Sequence, residues 1–358
     1  MNEPGPSPHA PRVPRVEIIG VHGIPEVCRG DRLAALITAA LAGQGECLRP
    51  GDVVAVSSKL VSKALGLVAE THNKEAVVAG QTVAVVAERD AGGHLTRIVR
   101  SVAGPVMAAA GVDASNSGPD GGLLLLPTDA DEVCRALTER LSGTSGVAPL
   151  AVVLTDTAGR PWRAGQIDFA LGSSGITVCD DHRGGTDVDG RPLAVTIRAV
   201  VDEIAAAADL VKGKVDRVPV AILRGLAAWL DTDATDGATS LVRVGDSDWF
   251  ALGAQEAVRA ALGVAPGTDL ARAVGMRPLG PDEPRARVDR AIAVALRGGM
   301  AAGLEVGVDV GRDVIEVLGD DPLAVGVVAA RLEVALSGEG VSHRGEPTAT
   351  SVRFHLLD

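Results

Sequence analysis

Short apolar runs punctuate the chain, and longer segments with helical spacing separate them. Val16–Val21 and Val218–Leu223 are short apolar runs that predict strands, and Asp52–Val56 and Leu150–Leu154 predict buried ones. Thr82–Glu88 and Ile98–Val102 predict a pair of strands, and Gly121–Pro127 a further buried one. Helices are expected from Asp31 to about Gly43, over Asp131–Leu141 and over Val195–Val211. Leu226–Ser240 is acidic and turn-rich and is expected as a linker or mobile loop. Beyond it, helices are expected from Trp249 to about Leu262, over Arg285–Ala302 and over Pro322–Leu336. Pro266–Pro284 is loop-rich. Leu304–Val317 predicts a hairpin turning at Gly311-Arg312-Asp313, and Ser351–Leu357 a last strand. The fold class is α+β, ending in a small α+β unit.

Length and composition narrow this picture. The 358 residues favour two domains, and 46% apolar residues supply ample core. Aromatics are only 2%, with no Tyr, so Val, Leu, Ile and Ala must do the packing. A net charge of −12 argues against a nucleic-acid surface and leaves room for a local basic pocket. Cys28, Cys47, Cys134 and Cys179 lack metal-site or redox-motif spacing, which suits structural thiols in a reducing cytoplasm. Residues 1–14 are polar and Pro-rich and are expected as a disordered tail, neither signal peptide nor anchor. No long uncharged apolar run predicts a membrane span.

The candidate chemistry centres on Leu154–Gly175. Its strand delivers Asp156 and Thr157, a carboxylate and a hydroxyl that suit a hard divalent cation. Arg160 and Arg163 follow in the next loop. A solvated turn with a capping Asp fits the same residues. Earlier, a strand runs into Ser57-Ser58-Lys59-Leu60-Val61-Ser62-Lys63. Hydroxyls followed by lysines suit an anion such as phosphate, although a polar strand-to-helix junction would look alike. Neither a P-loop nor a dinucleotide-binding glycine fingerprint is present. Asp113 and Asn116 form either a second acidic site or an Asx turn. The loop Asp180–Gly185 is dense in Asp, Arg and Gly, as an active-site loop is. Lys212-Gly213-Lys214 ends a helix, where it either caps the dipole or holds phosphates.

Seven segments in order resemble the coenzyme F420-0:L-glutamate ligases, the γ-glutamyl ligases of F420. They are GIPEV from Gly23, GDVVAVSSKLVSKALG from Gly51, GVDASN from Gly111, GLLLLPTDAD from Gly122, TDTAGRPWRAGQIDFALG from Thr155, GRPLAVT from Gly190, and VDEIAAAADLVKGK through RGL from Val201. The likeness covers about Val16–Gly225. It implies a two-lobe ligase domain over residues 15–245, a homodimer, and a C-terminal α+β domain of unassigned role over 246–358. It also implies GTP as co-substrate, two Mg²⁺ or Mn²⁺ ions with K⁺ as a possible accessory, and F420-0 and L-glutamate as reactants. Asp113, Asp156 and Thr157 match the family's metal ligands. Ile24, Pro25, Glu26, Val27, Ser58, Lys59, Lys63, Asn116, Lys212, Gly213 and Lys214 match its GTP contacts. No covalent nucleophile is expected. Lys214 departs from the pattern, standing where archaeal members carry a Glu. Mycobacterial relatives continue into a flavin-binding nitroreductase domain. The tail here begins similarly at Ser247 but is too short for one, so no flavin is expected. Two other readings remain open: a GTP-driven ligase for another carboxylate, and a non-catalytic F420- or GTP-binding relative.

Overall fold

The structure, a computed structural model, describes residues 15–71, 73–115, 122–213 and 216–357. In chain order the elements begin with β1 (Glu17–Gly20), α1 (Leu33–Gly43), β2 (Val53–Ser57), α2 (Ser58–Leu65) and α3 (Lys74–Gly80). Next come β3 (Thr82–Asp90), β4 (Leu95–Ser101), β5 (Val106–Ala108), α4 (Ala130–Ser145), β6 (Ala151–Arg160) and β7 (Arg163–Ser174). They are followed by β8 (Cys179–Asp181), β9 (Ile197–Ala199), α5 (Val200–Asp209) and β10 (Val220–Arg224). The remainder is α6 (Ala254–Ala261), α7 (Asp269–Ala273), α8 (Pro284–Arg297), β11 (Gly307–Val310), β12 (Val314–Leu318), α9 (Pro322–Gly338), β13 (His343–Pro347) and β14 (Ser351–Leu356). Helices and sheets are thus mixed along the chain, an α+β protein.

The chain divides into two compact units. The first holds residues up to Ala79, Ala103–Pro105 and Gly111–Arg243. The second holds Gly80–Val102, Val106–Ala110 and Val244–Asp358. The larger part of the second unit starts at Val244. Its other part is the three-stranded sheet β3-β4-β5, drawn from inside the first unit's sequence.

The first unit is built on a five-stranded sheet of order β1-β10-β2-β6-β7. Only β2 and β6 run parallel, in register from Val53↔Ala151 to Ser57↔Thr155. Val53, Ala55, Ala151, Val153, Ala221 and Leu223 pack into one cluster with Val201, Ile204, Ala205 and Ala208 of α5. The alternate residues Val54, Val56, Val152, Leu154 and Ile222 are buried too and point to the opposite face. The helix α4 packs on β6 and β7, with α1 beside it. Cover on both faces is why these strands read as uninterrupted apolar runs. Gly172 fixes how closely α4 approaches: a Cβ there would lie 2.4 Å from the Ala130 carbonyl carbon.

The strand expected at Leu150–Leu154 does not stop at Asp156. It continues to Arg160 and turns into β7, with Trp162 at φ +59° in the turn. Since β2 ends at Ser57, opposite Thr155, β6 beyond that point pairs, among the described residues, with β7. The strand expected at Gly121–Pro127 is reduced to bridges from Leu124 to Val68 and Asp113, and Gly121 lies outside the described residues.

In the second unit, α8 and α9 pack together, and α9 lies on the antiparallel sheet β11-β12-β14-β13. Val288, Ala291, Val294, Ile315, Val328, Leu332 and Phe354 form the centre of its core. The β3-β4 hairpin joins it through buried charge. Glu88 pairs with Arg97 at 3.1 Å and accepts the Gly267 N–H at 2.8 Å, while Glu256 accepts from the Glu88 N–H and from Arg89. Arg100 pairs with Asp248 at 2.9 Å, and the Gly253 N–H donates to the Val86 carbonyl at 2.8 Å. Helix α6 starts at Ala254 rather than Trp249, because Gly253 is its N-cap and Trp249-Phe250 form a turn before it.

Candidate functional site

The register of β2 against β6 sets the site. Side by side in the sheet, Ser57 and Thr155 are the last paired residues, so Ser58 and Asp156 emerge together just beyond the ladder. Ser58 opens α2 and donates its hydroxyl to Asp156 Oδ1 at 2.7 Å. Lys59, the next residue, forms an ion pair with Asp113 at 2.6 Å and donates to Ser115 Oγ at 2.6 Å. Asp113 also accepts the Ser115 N–H at 2.7 Å. Through the neighbouring residues Ser58 and Lys59, the Asp156 and Asp113 carboxylates are thus linked to the start of one helix.

A second, buried group stands next to them. Thr155 and Thr157 are two residues apart on β6 and share a face. Both donate to Asp168 of β7, at 2.8 and 2.7 Å. Lys212, in the turn after α5, reaches the same carboxylate and the Thr155 hydroxyl. The Lys212 and Asp168 side chains are each only 5% exposed. Lys212, one of the residues matched to the family's GTP contacts, thus pairs with Asp168 here. Neither Asp168 nor Thr155 was singled out in the sequence. The available signal was a lone carboxylate between Ile167 and Phe169 in a strand otherwise turning apolar.

The charges differ in kind. Burial raises the Asp156 carboxyl to about 6, with the Asp168 charge adding to the rise and the bonds from Ser58 and the Thr157 N–H opposing it. Burial also pushes Asp113 upward, but the Lys59 ammonium and the Ser115 N–H outweigh it, leaving that carboxyl below its ordinary value. Asp168 is likewise held low against burial by Lys212, Thr157 and Thr155. Asp156 is the acid of the group whose charge is left under-compensated.

The remaining expected contacts are placed as follows. Lys63, one turn after Lys59 on α2, pairs with Glu26 in the loop after β1. Ile24 and Pro25 share that loop, and Val27 is buried at its end. Gly213 bridges to Val218 and lies so close to Asp216 that a Cβ would sit 2.6 Å from its carboxylate. Asn116 and Lys214 lie outside the described residues. The cysteines are all free, and none belongs to the cluster.

Among the described residues no three His, Cys, Asp or Glu side chains gather closely enough to cage a metal ion. The donors present are carboxylate and hydroxyl oxygens, suited to a hard cation. An ion of the Mg²⁺ type takes one or two carboxylates and completes its shell with water and substrate phosphates. Asp113, Asp156 and Thr157 fit that kind of site, and the raised Asp156 carboxyl is where added positive charge gains most.

The family model described as F420-0:Gamma-glutamyl ligase matches residues 23–225. A coenzyme F420:L-glutamate ligase of Methanothermobacter thermautotrophicus is 35% identical over 251 residues, covering 66% of this chain and 98% of that protein. One from Halobacterium salinarum is 38% identical over 253 residues, covering 64% and 93%. One from Haloarcula marismortui is 35% identical over 230 residues, covering 58% and 87%. The matched span encloses the whole cluster.

Proposed function

Because the chain belongs to the F420-0:γ-glutamyl ligase family and is a ligase, we propose that it joins L-glutamate to coenzyme F420-0, and then to F420-1, at the cost of GTP. The carboxylate of the acceptor attacks the γ-phosphorus of GTP, forming an acyl phosphate and releasing GDP. The glutamate amine then attacks the acyl carbon, phosphate leaves, and the amine loses a proton to give the amide. The observation that carries this reading is the paired emergence of Ser58-Lys59 and Asp156-Thr157 from neighbouring parallel strands, with Asp113 held by Lys59. Phosphoryl transfer asks for positioning and charge balance rather than a covalent nucleophile.

In this reading Lys59 and Lys63 take phosphate oxygens, exchanging their ion pairs with Asp113 and Glu26 for the nucleotide. Asp113, Asp156 and Thr157 would hold divalent cations, Mg²⁺ or Mn²⁺, which balance charge on the transferring phosphoryl group. Ser58 orients Asp156. Lys212 keeps Asp168 ionised, and Asp168 in turn fixes the Thr157 hydroxyl. The reading includes a homodimer working in the cytoplasm. In keeping with that setting, no helix among the described residues is long and apolar enough to cross a membrane.

Labelling the acceptor carboxylate with heavy oxygen tests the acyl phosphate. One labelled oxygen should appear in the released inorganic phosphate for each amide formed. Phosphate free of label would overturn that intermediate.

A further inference from the structure

Helix α2 has two working faces. Lys59 and Lys63 lie one turn apart and serve the cluster above. Val61, Ala64 and Leu65 line a separate cavity of about 630 Å³ closed by α1 and α4. That volume is within the range of pockets that hold small organic ligands. Its floor is apolar and buried, formed by Ala34, Val61 and Leu137. Charge is confined to the rim. Asp31 accepts the Cys28 N–H at 2.8 Å through one carboxylate oxygen. The two arginines there, Arg32 and Arg140, have no ion-pair partner among the described residues. In a chain of net charge −12, the rim of this apolar chamber carries two guanidinium groups against one carboxylate.

We propose that this cavity is a second binding site, for a small amphipathic anion: an apolar body seated on Val61 and Leu137, and a carboxylate, sulfonate or phosphate group taken by Arg32 and Arg140. A guanidinium fork matches such groups in two-point contact. The apolar lining supplies the burial that surface arginines alone lack. The site is distinct from the Ser58–Asp156 cluster, since it uses the opposite side of α2, and it does not depend on the ligase reading.

The probe is anilinonaphthalene sulfonate, whose fused rings and single anionic group have this chemistry, titrated by fluorescence against the full chain. The uncharged analogue phenylnaphthylamine is the control. Saturable binding of one sulfonate probe per chain is expected. The variant carrying Arg32→Glu and Arg140→Glu should bind it about tenfold more weakly, while the uncharged probe binds as before. Ala136→Phe, which fills the chamber from α4, should abolish binding of both. Circular dichroism of each variant reports whether it is folded. If the filling variant fails to fold, the charge variant decides alone. Wild-type affinity for the sulfonate probe in the folded charge variant, or in a folded Ala136→Phe chain, would overturn the proposal.

Discussion

Asp156 and Asp168 are neighbouring carboxylates with opposite fates. Asp168 has Lys212 and two hydroxyls, so it stays ionised. Asp156 has one hydroxyl, a backbone N–H and a more distant lysine, and its carboxyl rises to about 6 from an ordinary 3.8. Between those values the folded chain holds a proton that the unfolded chain has released. The contribution of Asp156 to stability therefore falls by about 3 kcal/mol as pH rises from about 4 to about 6, and stays low above that. In metal-free protein, Asp156→Asn should stabilise more at neutral pH than near pH 4, measured by urea unfolding. An equal effect at both would contradict the shifted carboxyl. Lys212 gives the complementary test. Lys212→Met leaves Asp168 buried without its cation and should cost roughly 3–5 kcal/mol of unfolding free energy. A variant with unchanged stability and a raised KM for GTP would instead make Lys212 a nucleotide contact.

Among the elements, what the sequence revealed followed from burial. β2, β10 and the first half of β6 are buried on both faces, so their composition betrays them. The hairpin of β11 and β12 turns at the expected Gly311-Arg312-Asp313 for the same reason in period two. The misses share a cause as well. β13 reads His-Arg-Gly-Glu-Pro, an exposed edge strand held by its partner β14, and nothing apolar marks it. The extension of β6 past Asp156 is carried by pairing with β7, a long-range ladder that no local pattern reports. Of the candidate site, Ser58, Lys59, Asp113 and Asp156 stand out in the sequence by residue type. That Lys212 belongs to Asp168 was not legible, because the two are 44 residues apart and meet only when the turn after α5 is laid against the middle of β7.

At the scale of the molecule, the β3-β4-β5 sheet lies inside the family-matched span yet belongs to the unit completed by residues after 243. Ending the chain at Arg243 would remove Glu256, Asp248 and the Gly253 and Gly267 N–H donors together. Glu88, Arg89 and Arg100 would then lose buried partners. Trypsin should cut at Arg89, Arg97 or Arg100 in the shortened chain and spare them in the full one. Equal protection would show that the hairpin is held without the C-terminal segment. This links the extension to the ligase sequence through folding, whatever else it does.

The most direct measurement of the central claim is ligation followed by mass spectrometry. The full chain is incubated with F420-0, L-glutamate, GTP and Mn²⁺, beside reactions with ATP and with chelator. The account predicts successive gains of single glutamyl units that require GTP and the metal and that Asp156→Asn abolishes. Product forming equally with chelator present, or at wild-type rate in Asp156→Asn, would contradict it, as would bound GTP with no glutamate added.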